Sequence, residues 1–290
     1  MTTVDQIYLI PPEHHVADTD RATATQILSC TDRELDALIH SGLGTREGRF
    51  DSRDLFNIGL HSGTGKTVPE QAFAFTLRWM RASTEDLLAP RTSRFSLSLS
   101  CDCPTATFAA PRCDRYDGDV RDTTTTDTTL TATIRTNGSA QPRSTALSEL
   151  TQDFNDLGIR WVKLPDPLRD NESLLTTHRV ATCESASNYL AARCREAGLP
   201  ARTRIGWVIG MLDLVHAWVE VTDEDGETKL VDPIFALFAT TVTGANPLLT
   251  DPKVALRTNR LIPTDLAVGD RVARHGCEAP VTTKITQEKA

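Results

Sequence analysis

The stretch 183-CESASNYLAARCREAGLP-200, followed by 201-ARTRIGWVIG-210, 215-VHAWVEV-221 and 228-TKLVDP-233, decides the fold. In residues 183–197, Ala186, Leu190, Cys194 and Ala197 fall on one stripe, with Glu184, Arg195 and Glu196 at polar positions. That period predicts an amphipathic helix, which Gly198 and Pro200 stop. The runs 203–209, 214–221 and 228–232 read as strands, the last two joined by a turn at Asp223-Glu-Asp-Gly226-Glu. A helix leading into antiparallel strands is an α+β pattern.

The same stretch carries the candidate chemistry. Cys183 stands at the first turn of its helix, where unpaired amide N–H groups and the macrodipole favour negative charge. Thiolate is the reactive form of cysteine, and those amides could also stabilise an oxyanion on an attacked carbonyl. Along 214–221, Val215, Ala217, Val219 and Val221 share one face and His216, Trp218 and Glu220 the other. The valine face packs into a core, so His216 is free to meet the helix of Cys183, and a Cys–His pair is the minimum unit of an activated thiol nucleophile.

Asp232 ends the next strand, and parity decides whether it can join His216. An odd turn, such as five residues centred near Asp225, sets Asp232 opposite Trp218 and on the histidine's face. A two-residue Asp225-Gly226 turn sends it to the other face. In the first geometry Asp232 would fix the imidazole tautomer and stabilise imidazolium, as the third member of a triad does. The residues alone leave open a plainer alternative of a structural cysteine and two unrelated polar side chains.

Outward from this stretch the signals thin. Residues 1–90 read as largely helical, with N-caps at Asp20 and Thr31, a capping-box Glu34, and a helix over 70–83 behind Pro69. Alternation over 94–101 and 130–134 predicts strands, the second ending at the turn dipeptide Asn137-Gly138. The Thr- and Asp-rich segment 114–129 reads as a linker or exposed loop. A further helix is expected at 145–156, and a polar, frayed tail from 278. With 290 residues, about two domains are expected. We place the boundary near 140: an N-terminal region 1–140, helical with some strand, a catalytic domain 141–277, and the tail 278–290.

Composition excludes several classes. Lys plus Arg is 31 against 39 for Asp plus Glu, a formal charge of −8, so no basic block exists to displace counterions from a nucleic acid. No apolar run approaches the ~20 residues of a membrane span, and the N-terminus lacks the pattern of a signal peptide; a cytoplasmic protein is expected. The seven cysteines are an odd number, which argues against a disulfide framework. Two motifs read as decoys. His61-Ser-Gly-Thr-Gly65-Lys66-Thr67 resembles a phosphate loop, but position 60 is Leu where the motif needs glycine. Cys101-Asp-Cys103 with Cys113 falls short of a zinc site because no fourth ligand is nearby in sequence. Neither a metal nor a cofactor is therefore expected, and no acidic loop with calcium spacing is evident.

Cys183-x-x-Ala186, Gly198-Leu-Pro-Ala-Arg202, Gly206, His216-Ala-Trp-Val-Glu-Val221 and Asp232-Pro233 together resemble the transglutaminase-like superfamily of papain-like cysteine enzymes. Order and spacing match over roughly residues 146–240. The resemblance implies a Cys-bearing helix packed on an antiparallel sheet, preceded here by a mostly helical region. It also implies Cys183 as nucleophile, His216 as general base and acid, and Asp232 as orienting carboxylate. The family usually has glycine one or two residues before the cysteine, where this chain has Ala181-Thr182, and its second oxyanion donor is often a Trp or Gln side chain, for which Trp161 is a candidate. The implied chemistry is acyl transfer through a Cys183 thioester. The reading favoured is amide-bond formation between an amine and an acyl donor, whether peptide, small molecule or carrier-bound thioester, with residues 1–140 recognising the donor. A peptidase or amidase is the first alternative, and a non-catalytic binding module that keeps the fold is the second.

Overall fold

The computed structural model describes residues 7–101, 103, 106–211, 215–277 and 279–287. Its chain divides into two compact units, residues 1–78 with 159–182, and residues 79–158 with 183–290. The division does not fall near 140, because the chain leaves the first unit at Arg78, returns at Ile159 and leaves again after Thr182. Hydrophobic periodicity marks elements, but it carries no sign of such a return.

The first unit opens with four helices, α1 (Arg21–Leu28), α2 (Asp32–His40), α3 (Ser52–Leu60) and α4 (Val68–Thr76). Asp20 caps α1 through the N–H of Thr23, and Thr31 and Glu34 form the expected capping box on α2. Leu28, Leu35, Phe50, Leu55 and Ile58 form the core of these helices. Beyond Thr76 the expected 70–83 helix tightens into a 3₁₀ turn over Leu77–Arg81.

The second unit begins with α5 (Thr84–Leu88) and strands β1 (Arg91–Leu99), β2 (Thr107–Phe108), β3 (Asp119–Thr125), β4 (Thr129–Thr136) and β5 (Ser139–Pro142), then α6 (Thr145–Asp156). The chain then returns to the first unit for β6 (Arg160–Trp161), α7 (Ser173–His178) and β7 (Val180–Ala181). The Asn57 side chain stitches this excursion to α3, accepting from the N–H of Lys163 at 2.8 Å and donating to its carbonyl at 2.9 Å. From Cys183 onward the second unit adds α8 (Cys183–Glu196), β8 (Ala201–Val208), β9 (Val215–Thr222), β10 (Thr228–Val231), α9 (Pro233–Thr241), β11 (Val254–Arg257), β12 (Leu261–Pro263), β13 (Ala273–Arg274) and β14 (Val281–Gln287). Leu214, the first residue of the strand expected at 214–221, lies outside the described residues.

Two four-stranded sheets result, in the orders β14-β1-β4-β3 and β10-β9-β8-β12. The core between them brings Phe95, Leu97, Leu130 and Ile134 of the first against Trp207 and Ile262 of the second, with the Phe95 and Trp207 rings 4.8 Å apart. Two expectations are corrected here. The segment 114–129 is no linker: it contains β3, an edge strand whose β-branched threonines need only one neighbour, β4. Within the tail, residues 281–287 are not frayed: they pair along β1, with Thr283 buried and Val281 and Ile285 packed against the core, while 278 and 288–290 lie outside the described residues.

Candidate active site

Helix α8 starts at Cys183, which is half-buried. The helix lies on β8 and β9 and is flanked by α6 and α9. Thr203 of β8 donates to the Asn188 side chain at 2.6 Å, which fixes the helix on the sheet. Ala186, Leu190 and Cys194 are buried as the stripe requires, and Gly198 closes the helix at φ +84°, a left-handed turn suited to glycine. Glu184, expected on a polar face, is buried as well, because helices and sheet enclose the whole first turn from Glu184 to Ser187.

Strands β9 and β10 pair from Thr228↔Thr222 to Val231↔Val219, leaving a five-residue turn, 223–227. One step further the register sets Asp232 opposite Trp218, on the histidine's face. Lys229 locks the turn, its ammonium lying 2.7 Å from Asp223 and 2.6 Å from Asp225. His216 Nε2 then lies 2.6 Å from Asp232 Oδ2, both side chains almost wholly buried. The other carboxylate oxygen, Oδ1, accepts the N–H groups of Ile234 and Phe235 at 3.2 and 2.9 Å, so Asp232 also caps α9. Phe235 stacks on the imidazole, ring centroids 4.8 Å apart and planes within 10°.

Burial by itself opposes the charged imidazole. The negative charge and hydrogen bond of Asp232, helped by interaction with Cys183, outweigh burial and push the His216 pKa up to about 10. With Nε2 committed to Asp232, Nδ1 is the ring nitrogen left for the sulfur. Cys183, His216 and Asp232, which are far apart in sequence, thus meet at one place in the second unit.

A buried network backs the face that holds His216. Trp218 Nε1 donates to the Tyr116 hydroxyl at 2.7 Å, and that hydroxyl donates to Glu220 at 2.7 Å. Arg204 grips the same carboxylate through Nε and Nη2, at 3.0 and 2.8 Å. Glu220 is held below the usual carboxylate range because Arg204 and Tyr116 overcome its burial. Sequence reasoning missed Tyr116 and Arg204: neither carries a local signal, and Tyr116 is 104 residues from Glu220.

Residues 131–233 match the model of the transglutaminase-like superfamily. All three candidate residues lie inside the matched segment. No curated protein matches the chain. Among solved structures the chain is similar to that of "a Putative Cysteine Protease from Cytophaga hutchinsonii", at 13% identity and a TM-score of 0.36, covering 69% of this chain and 89% of that one. Trp161, the candidate oxyanion donor, belongs to the first unit, where its ring lies 6.1 Å from Phe56 and 5.2 Å from Phe73. The glycine-rich loop at 61–67 wraps a carboxylate of its own chain. Glu70 accepts from Thr64 Oγ1 at 2.9 Å and from the N–H of Thr67 at 3.2 Å, and despite burial the Gly65 N–H and Thr64 hydroxyl help hold it down to about 2.

Proposed function

We propose that the protein is a cysteine acyltransferase that forms an amide bond through a thioester on Cys183. The meeting of Cys183 at a helix start with His216, itself held by Asp232 at 2.6 Å, carries this reading. The Cys183 sulfur attacks the donor carbonyl, and the imidazolium offsets its negative charge. As the carbonyl–nitrogen or carbonyl–sulfur bond breaks, His216 gives its proton to the leaving group. The now neutral imidazole takes a proton from the incoming amine, the amine nitrogen bonds to the thioester carbon, and the Cys183 thiolate leaves. Asp232 keeps the ring oriented throughout and stabilises its charged form.

Recognition of the donor is assigned to the N-terminal region. A hollow of about 640 Å³ in the first unit, lined by Ile7, Leu28, Leu38 and Ile58 with Lys66, supports that assignment. Hydrolysis by the same three residues is the second reading, with water in place of the amine. Incubation with a short peptidyl thioester, with and without glycinamide, followed by intact-mass measurement, separates them. An adduct on Cys183 discharged by the amine supports transfer; rapid release of free acid in water alone supports hydrolysis. If neither a thioester nor a peptide amide labels the wild type, and Cys183→Ala is indistinguishable from it, cysteine catalysis is refuted.

A further inference from the structure

Outside the catalytic residues, one cluster of metal-ligating side chains stands out among the described residues: Cys101, Cys103, His275 and Cys277. Cys101 and Cys103 lie in the connection from β1 to β2, and His275 and Cys277 in the connection from β13 to β14. Since β1 pairs with β14 and β2 with β13, both connections bridge the same gap between two antiparallel ladders. Two short motifs, Cys-x-Cys and His-x-Cys, are thereby brought together across 174 residues of chain. Cys113, the third cysteine of the sequence motif, instead lies buried in the core between the sheets.

The geometry is that of a coordination shell. His275 Nδ1 lies 3.5 Å from Cys101 Sγ and 3.5 Å from Cys277 Sγ, and Cys103 Sγ lies 3.5 Å from Cys277 Sγ. All four donor atoms fall within 4.8 Å of one another. A tetrahedral zinc with Zn–S of ~2.3 Å and Zn–N of ~2.0 Å has edges of about 3.8 Å between sulfurs and about 3.5 Å between sulfur and nitrogen. The sulfurs are too far apart for a bond of ~2.05 Å, and all seven cysteines are free. A disulfide would also give no reason for one imidazole nitrogen to sit beside two sulfurs.

We propose that Cys101, Cys103, His275 and Cys277 bind one Zn²⁺ in a closed, structural Cys₃His site. Three thiols and one imidazole are the soft and borderline donors that select zinc over calcium or magnesium. Binding releases the thiol protons to solvent, leaving three thiolates and a neutral imidazole, and no ligand position remains for a substrate. The site pins the start of β14. That strand is an edge of its sheet and buries only Thr283 fully, so its own side chains hold it weakly. The proposal stands on residues distinct from Cys183, His216 and Asp232 and does not depend on their chemistry.

The test uses the full chain, expressed with zinc in the medium and purified under reducing conditions without chelator. Elemental analysis should find about one zinc per chain, released to a colorimetric chelator when the thiols are mercurated. Zinc should be lost in Cys103→Ser/Cys277→Ser, retained in Cys183→Ser, and retained in His275→Cys, which rebuilds a four-ligand set. Cobalt exchanged into the wild type should give the intense visible bands of tetrahedral Co²⁺ with thiolate charge transfer, a readout that needs no variant to fold. Removing zinc from the wild type should speed amide hydrogen exchange over residues 281–287. The proposal is overturned by a chain that binds no zinc even when it is added to reduced protein. Zinc that leaves with Cys183→Ser, or that survives Cys103→Ser/Cys277→Ser, overturns it equally.

Discussion

Replacing Asp232 by Asn isolates what the carboxylate does for His216. The amide is nearly isosteric, and its oxygen can keep accepting the N–H groups of Ile234 and Phe235, so the cap on α9 survives. Its NH₂ then faces Nε2, which must become an acceptor, and that favours neutral imidazole with its proton on Nδ1. In the wild type His216 is raised from an ordinary 6.5 to about 10 against its own burial. A rise of that size is worth at most about 5 kcal/mol of preference for imidazolium. Without the carboxylate, burial acts unopposed and the pKa falls to or below its ordinary value. Because the folded-state pKa is raised, the pair's stabilisation is fully present below about pH 6.5 and is lost as pH rises through about 10. The stability gap between the two proteins should therefore be widest near pH 6.5 and close towards pH 10. The comparison belongs in a Cys183→Ala background, so that only the carboxylate differs. NMR of the His216 Cε1–H gives the pKa, and urea unfolding at several pH values gives the gap. If His216 titrates at the same pH in both, or the gap does not change with pH, the ion-pair account of Asp232 is wrong. In the Cys183 protein the same substitution should lower kcat/KM on the order of 10²–10⁴-fold, the range of a lost orienting or acid–base group.

Three further substitutions probe the frame around the site. Tyr116→Phe removes the acceptor of Trp218 Nε1 and one donor to Glu220; urea unfolding should show a loss of about 1–3 kcal/mol. Gly206→Ala would put a Cβ 2.1 Å from the Ile262 carbonyl oxygen and 2.6 Å from the Trp218 ring. Backbone cannot yield cheaply there, so a loss of at least about 1–3 kcal/mol is expected, and because Gly206 pairs with His216, kcat/KM should fall with it. Lys229→Met strands the buried Asp223 carboxylate, at about 3–5 kcal/mol near neutral pH. Burial raises the Asp223 pKa, but Lys229 and Ser144 overcome this and hold it down to about 2. Its stabilisation is present above about pH 3.8 and lost as pH falls through about 2, so acid unfolding should begin at higher pH in the variant.

The parts of the fold that were legible are those whose signal is local. Helix α6 spans 145–156 as its pattern predicts, and α8 begins at Cys183 and stops at Gly198 because an apolar stripe, a left-handed glycine and a proline all agree. Parity tied the reach of Asp232 to an odd turn between β9 and β10, but it left a two-residue turn equally open, and only the register of the fold decides for five residues. What the sequence could not carry is pairing across long separations. Val281 and Ile285 are too sparse to announce β14 until β1 is beside them, and the threonines of β3 look like a loop without β4. Cys101 and Cys103 find their neighbours at 275 and 277 only because two ladders converge. Glu184 is buried because α6 and α9 cover a face that a single-helix pattern treats as solvated.

The five-residue turn at 223–227 has a consequence for how related chains can vary. Side chains on a strand alternate with period two, so what holds Asp232 on the histidine's face is the pairing of Val231 with Val219, not the length of the turn. A residue inserted within 223–227 with the flanking pairs kept leaves Asp232 opposite Trp218, whereas a one-residue slip of β10 along β9 turns it away. Related chains are thus free to vary the turn, but a single residue gained or lost between His216 and Thr222, or between Thr228 and Asp232, breaks the pair unless a bulge absorbs it.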